Sequence, residues 1–106
     1  MAAIPDKVKL VINQFLKELA NNDITVEQAI LFGSYAQGTF NEWSDIDLAI
    51  VSKIFVGERF EDRKKIRRIK LKVSSDLDPI PYSPEDFTDN NPFVKKIIET
   101  GIHLIG

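Results

Sequence analysis

LFGSYAQGTFNEWSDIDLAIV, residues 31–51, joins two different kinds of chain: an apolar run that stops at a glycine, and an alternating run that opens on acidic residues. Ala29, Ile30, Leu31 and Phe32 form the first, and Gly33 bounds it, as suits a short buried strand. In the second, Ile46, Leu48 and Ile50 project to one face and Asp45, Asp47, Ala49 and Val51 to the other, which is the period of a strand. Between the two strands a brief helical turn is expected, closed by Gly38.

Outward from this stretch, residues 5–20 carry Val8, Val11, Ile12, Phe15, Leu16 and Leu19 at three- and four-residue intervals. Pro5 stands near the first turn, so the spacing predicts a helix that Asn21, Asn22 and Asp23 stop. Residues 58–72 are charged, with Phe60, Ile66, Ile69 and Val73 leaving an apolar stripe near helical spacing, and predict a surface helix. Residues 76–82 read as a third strand. Pro79 and Pro81 cannot donate to a ladder, which confines that strand to an edge or makes it irregular. Ser83 and Pro84 begin a turn. Asn91 before Pro92 reads as a cap and first residue of a helix bearing Val94, Ile97 and Ile98, which Gly101 ends before a last short strand at 102–105. Helices alternate with strands without repeat or linker, so an α/β or α+β sheet domain follows, one domain over residues 1–106.

The composition is compatible with that reading and removes several function classes. A chain of 106 residues suits one hydrophobic core. No stretch approaches the roughly 20 apolar residues that span a bilayer. The absence of cysteine excludes disulfides and thiolate metal sites, and the start MAAIPDKVK lacks the layout of a signal peptide, so a soluble cytoplasmic protein is expected. Fourteen basic against sixteen acidic residues give a net charge of −2, which argues against direct binding of long nucleic acid through net charge. The basic run Arg63, Lys64, Lys65, Arg67, Arg68, Lys70 and Lys72 is weighed first as a solvated helix face, with Glu58, Glu61 and Asp62 ahead of it in the order the helix dipole favours, and second as a contact for a partner or nucleotide. His103 lacks a companion ligand and fits a surface or packing role. For Trp43, filling the loop is preferred over stacking on a base.

Asp45 and Asp47 carry the chemistry. Two apart on a strand, they point the same way with Cβ atoms roughly 7 Å apart, and could bridge two hard cations about 3.5–4 Å apart. Taken alone, the pair fits a water-exposed strand end equally well. Gly33 lets the backbone approach a ligand closely, and the turn after it offers N–H groups to a phosphate. Ser34 fits a hydroxyl donor to phosphate or an ordinary helix cap. Gly38 and Ser44 fit structural roles first, closing the turn and fixing the approach to the strand, and ligand contact second.

Gly33-Ser34, ten further residues, then Asp45-x-Asp47 resembles the signature of the DNA polymerase β-like nucleotidyltransferase superfamily, and Gly38 and Ser44 fit it as well. The resemblance implies a nucleotidyltransferase fold, a small mixed sheet flanked by helices. It also implies that Asp45 and Asp47 hold two Mg²⁺ ions and that Gly33 and Ser34, with Ser44 beside them, hold the triphosphate. A third carboxylate from a later strand would complete the metal site and assist deprotonation of the acceptor. Parity allows Asp76 or Asp78; LDPIPYSPEDF, residues 77–87, looks like the family's hydrophobic-Asp-hydrophobic strand with a following Tyr-x-Pro-Glu turn, which selects Asp78. Pro79 and Pro81 depart from the family pattern there, and Gln37 replaces an Arg that many relatives carry.

The resemblance spans nearly the whole chain. Its end, NPFVKKIIETGIHLI, looks like that of the minimal nucleotidyltransferase branch. Members of that branch are commonly encoded with a helical HEPN partner and act as antitoxins that move AMP from ATP to a Tyr of the toxin. The implied alternatives are the catalytic subunit of a split antibiotic-type enzyme, and a non-catalytic antitoxin acting by occlusion. Acceptor, base preference and oligomeric state stay open.

Overall fold

The computed structural model describes residues 4–106, with Arg59 described by its backbone alone; the first three residues lie outside the described residues. Helix α1 (Asp6–Asn21) follows Pro5 and buries Val8, Ile12, Phe15 and Leu19, one apolar stripe of a 3.6-residue period. It ends where the Asn22 side chain donates to the Glu18 carbonyl. Asp23, at φ 61°, then turns the chain through the left-handed region that Asp tolerates. Strand β1 (Gln28–Phe32), the short helix α2 (Ser34–Gln37), strand β2 (Ile46–Val51), helix α3 (Arg59–Val73), strand β3 (Leu77–Tyr82), helix α4 (Pro92–Thr100) and strand β4 (Ile102–Ile105) follow in the expected order.

The strands form one mixed sheet in the order β3-β2-β1-β4. β1 runs antiparallel to both β2 and β4, whereas β2 and β3 are parallel. α3 supplies the crossover that a parallel pair requires. The sheet is covered on both faces, and strand parity decides which side chain enters which layer. Leu31, Ile46, Leu48 and Ile50 pack with Phe15 and Leu19 of α1 and Ile66 and Ile69 of α3. Ile30, Ala49 and Val51 pack with Tyr82, Phe87 and the α4 residues Val94 and Ile97. Asp47 shares the parity of this second face.

β3 is an edge strand, as its prolines require, but it is not irregular: all six of its residues pair in register with β2. The reason lies in the alternation of the ladder. Ile46 donates to the Asp76 carbonyl and Ser52 to the Tyr82 carbonyl, so the even-numbered residues turn their backbone groups toward β2. Pro79 and Pro81 fall on the outward-facing positions, where a missing N–H costs no ladder bond and also blunts the open edge.

α3 differs from expectation at its start. Phe60 is 67% exposed and lies outside the apolar stripe, which consists of Ile66 and Ile69 with Val73 partly buried. The helix is capped by Glu58, whose carboxylate accepts from the Phe60 and Glu61 amides. Asp62 is buried because it is fully employed: it accepts from the amides of Val56 and Gly57 and pairs with Lys65. At the other end of the chain, Asn91 accepts from the amides of Phe93 and Val94 and Pro92 opens α4, both as the sequence foretold.

Phe15 is fully buried in the layer beneath α1. Phe15→Ala is expected to lower unfolding free energy by about 3–5 kcal/mol. Phe60→Ser, on the exposed side of α3, is expected to change it by no more than about 0.5 kcal/mol. Urea unfolding of both variants checks the assignment of the two aromatics to core and surface.

Candidate active site

The parallel register of β2 and β3 sets Asp47 directly opposite Asp78. Neighbouring strands lie about 4.8 Å apart, so two carboxylates on facing positions of one sheet face meet side by side. Both are half-buried, while Asp45, two residues earlier on the same side of the chain, is exposed. The result is a strong perturbation of the central residue. Asp47 is pushed up from 3.8 to about 6, first by burial, then by the charges of Asp78 and Asp45, and by a hydrogen bond shared with Asp78. Asp76 does not join them in this way; it is exposed and precedes β3, where its carbonyl serves the ladder.

This donor set fits a hard divalent cation. Its ligands are anionic oxygens, and their mutual repulsion is the energy that a cation relieves. Among the described residues no three carboxylate or imidazole groups are drawn together closely enough to form a finished metal cage. The register and the charge coupling bring Asp47 and Asp78 together, with the exposed Asp45 near enough for its charge to act on Asp47.

Gly33 sits over the same point. It has φ 76° and ψ −150°, a conformation that side-chain-bearing residues rarely adopt, and a Cβ built there would overlap the Asp47 carboxylate. Gly33 thus brings the backbone against the carboxylates, and it also holds the cap position of α2. Ser34 is the first helical residue rather than the cap, which corrects the capping role weighed for it. The turn is anchored by packing: Tyr35 is buried and stacks on Phe40 at 4.7 Å, and Gly38 closes α2 in the left-handed region at φ 77°. Ser44 is tied into the approach to β2, its hydroxyl accepting from the Asn41 amide at 2.8 Å while its own amide donates to the Asn41 carbonyl. Asn41 also accepts from the Trp43 amide, so the sequence reading missed the residue that organises this loop. Trp43 is 82% exposed, contrary to the packing role preferred for it.

Two further features flank the carboxylates. A cavity of about 280 Å³ beside Asp78 and Pro79 is walled by Phe60, Arg63, Lys64 and Arg67 of α3. A second, of about 230 Å³, lies behind Gly33 against Phe93 and Lys96 of α4. His103 is exposed and its ring nitrogen shares a hydrogen bond with the Ile98 carbonyl, far from any metal role.

A sheet of this order, with acidic residues facing each other across a parallel pair and a glycine corner above them, defines a nucleotidyltransferase architecture. The chain belongs to the nucleotidyltransferase domain family, whose model matches residues 12–103. It is 37% identical over 82 residues to a Methanocaldococcus jannaschii protein named "Putative protein adenylyltransferase MJ1305", covering 72% of this chain and 55% of the relative. It is 30% identical over 98 residues to "Putative protein adenylyltransferase MJ0141" of the same organism, covering 89% of this chain and 95% of that one. The chain therefore spans about half the length of the first relative and nearly all of the second. Two solved structures share the fold. One is the crystal structure of a putative nucleotidyltransferase from Sulfolobus solfataricus, with a TM-score of 0.66, 21% identity, and coverage of 91% of this chain and 77% of that chain. The other is the crystal structure of a toxin-antitoxin with AMP-PNP, with a TM-score of 0.62, 24% identity, and coverage of 89% and 72%.

Because Asp47 binds its proton more tightly in the folded chain than in the unfolded one, the native state takes up protons between about pH 4 and pH 6. The stabilisation this gives is complete below 3.8 and lost as pH rises through about 6. In metal-free buffer the contribution of Asp47 is therefore expected to raise the thermal midpoint as pH falls from 7.5 toward 5. Asp47→Asn should flatten that rise and raise the midpoint at pH 7.5; scanning calorimetry of both proteins across this range reads the difference. Gly33→Ala is expected to destabilise the fold by about 1–3 kcal/mol, through the strained φ together with displacement of the Asp47 carboxylate, as measured by urea unfolding.

Proposed function

We propose that this chain moves AMP from ATP to a hydroxyl acceptor, and that the acceptor is a Tyr of a helical HEPN-type partner, which it inactivates as an antitoxin. The observation that carries the reading is the facing of Asp47 and Asp78 across β2 and β3 directly beneath Gly33. Asp45, Asp47 and Asp78 would hold two Mg²⁺ ions, which when bound supply positive charge against the triphosphate and the developing negative charge of transfer. Gly33 and Ser34 offer backbone and hydroxyl donors to the phosphates, and Ser44, by fixing the loop to Asn41, keeps Asp45 at the mouth of the site. The acceptor oxygen attacks the α-phosphorus in line; its new O–P bond forms as the bond to the bridging oxygen breaks, and pyrophosphate carries away that electron pair. Asp78 accepts the acceptor's proton and passes it to solvent. A phenol that ionises near pH 10 needs such help at neutral pH.

The protein acceptor is supported by the names of both M. jannaschii relatives, one of which this chain nearly spans. The antitoxin role draws on the toxin-antitoxin structure with AMP-PNP that shares the fold. We read the chain as a single domain working in the cytoplasm; among the described residues no helix is long and apolar enough to cross a membrane. Inhibition by occlusion alone would have been favoured by a disrupted third strand, and the regular pairing of β3 takes that argument away.

Incubation with ATP labelled at the α-phosphate, Mg²⁺ and the helical product of the adjacent gene is expected to label that protein, and to stop when its acceptor Tyr is changed to Phe. Asp78→Asn should slow transfer roughly 10²–10⁴-fold, the usual worth of a positioned base. Label appearing only on a small molecule, or an Asp47→Asn enzyme as fast as the unaltered one, would overturn the assignment.

A further inference from the structure

The cavity behind Gly33 lies on the same face of the sheet as the Asp47 carboxylate. Phe32, one of its walls, is the cross-strand partner of Asp47 in the antiparallel β1–β2 ladder, and directly paired side chains share a face. Gly33 joins the two, since a Cβ there would overlap the Asp47 carboxylate. The opposite wall comes from α4. Phe93, Lys96, Ile97 and Thr100 stand at i, i+3, i+4 and i+7, so they form one helix face turned toward this corner. Packing holds that face against β1: Ile97 is buried, the Phe93 ring meets the Phe32 ring edge-on at 5.9 Å, and a Cβ on Gly101, at the end of α4, would collide with Ile30. Like most basic residues of the chain, Lys96 has no ion-pair partner among the described residues. What distinguishes it is its place, across the cavity from Gly33, where it alone among the described lining residues is charged; Gln37, contributed by α2, is neutral.

From this placement we infer that Lys96 binds the β- and γ-phosphates of the nucleotide and holds the pyrophosphate as it leaves. The inference rests on the transfer reaction proposed above and adds a residue to its machinery. Phosphates seated on the Gly33–Ser34 corner have α4 as their facing wall, because Gly33 itself lines the cavity that Lys96 closes. They need a counter-charge there. A triphosphate brings further negative charge to a face that already carries Asp47 and Asp78, in a chain whose net charge is −2. The corner offers N–H groups and a hydroxyl, and Gln37 an amide; Lys96 supplies the full positive charge. Phe32, Phe93 and Ile97 displace part of the surrounding water, so its attraction for phosphate is screened less than it would be on an open helix face. When the bond from the α-phosphorus to the bridging oxygen breaks, the charge left on pyrophosphate meets the Lys96 ammonium. Lysine keeps its proton throughout, and no covalent bond to it is made. Lys95 has no such part: it stands about 100° around the helix and is absent from the cavity wall.

The test uses the whole chain and two nucleotides, a non-hydrolysable ATP analogue and AMP, with binding in Mg²⁺ buffer followed by calorimetry. Lys96→Gln is expected to weaken uptake of the ATP analogue about tenfold or more, the worth of one charged hydrogen bond to phosphate. Uptake of AMP, which has no β- and γ-phosphates, should stay as it was. Lys96→Arg should keep most of the affinity for the analogue. Lys95→Gln, which removes the same charge from the same helix outside the cavity, should keep all of it. Lys96→Met serves as a second neutral variant should Lys96→Gln fail to fold. Affinity for the analogue that survives the loss of Lys96, an equal loss for AMP, or an equal loss in Lys95→Gln overturns the inference. Binding is read without turnover, so a loss confined to Lys96 and to the ATP analogue, in a chain that transfers no AMP, would sink the proposed reaction and leave the Lys96 assignment standing.

Discussion

The pairing of β2 with β3 is the constraint on which the site depends. The two strands are parallel, so they cannot be joined by a tight turn, and α3 must carry the chain from one end of the sheet back to the other. Their register then places Asp47 against Asp78. Side-chain period in a strand is two, and a slip of one residue would turn Asp78 into the layer beneath α1 and α3 and bring Leu77 or Pro79 to the site. The buried Leu77, Leu48 and Ile46 oppose such a slip, because it would take Leu77 out of the core. An apolar layer on one face of the sheet thereby fixes the position of two acids on the other.

The cost of this arrangement is visible in Asp47. Half-burial and two neighbouring carboxylates favour its protonated form, so the fold alone does not reward the charged state that cation binding requires. Local contacts and backbone geometry hold the neighbourhood of this unfavourable charge. Tyr35 on Phe40, the Asn41 and Ser44 exchange and the left-handed glycines at 33 and 38 leave the loop over the carboxylates few alternatives. Functional sites characteristically carry perturbed acids of this kind on a scaffold stabilised elsewhere. Here the compensating burial lies in the layers beneath α1 and α4.

Much of the molecule was legible in its sequence. Every helix and strand was foretold to within a few residues, because most have an apolar period and a clear boundary: Asn22 and Asp23 after α1, Gly33 after β1, Asn91 and Pro92 before α4. The choice of Asp78 over Asp76 came from resemblance, and the register supplies a physical reason for it. Two of the failures share one cause. Phe60 and Trp43 were placed in packing roles because large aromatics are usually buried, but whether an aromatic near the end of an element finds a core depends on which neighbours fold over it. The irregularity allowed for β3 did not arise because the prolines fall on outward-facing backbone positions, a property of the ladder and invisible in a single strand.

The sequence by itself determined which residues are acidic, which are glycine and how far apart they stand, and local periodicity was enough to assign each to a strand, turn or helix. Proximity across the sheet was decided only by the tertiary structure: Asp47 beside Asp78, and Gly33 against Asp47. The physical reason is that secondary structure follows from interactions between residues a few positions apart, whereas the candidate site is made of residues from the β1–α2 corner, β2 and β3. What brings them together is burial of the apolar side chains between them, and that outcome belongs to the whole chain.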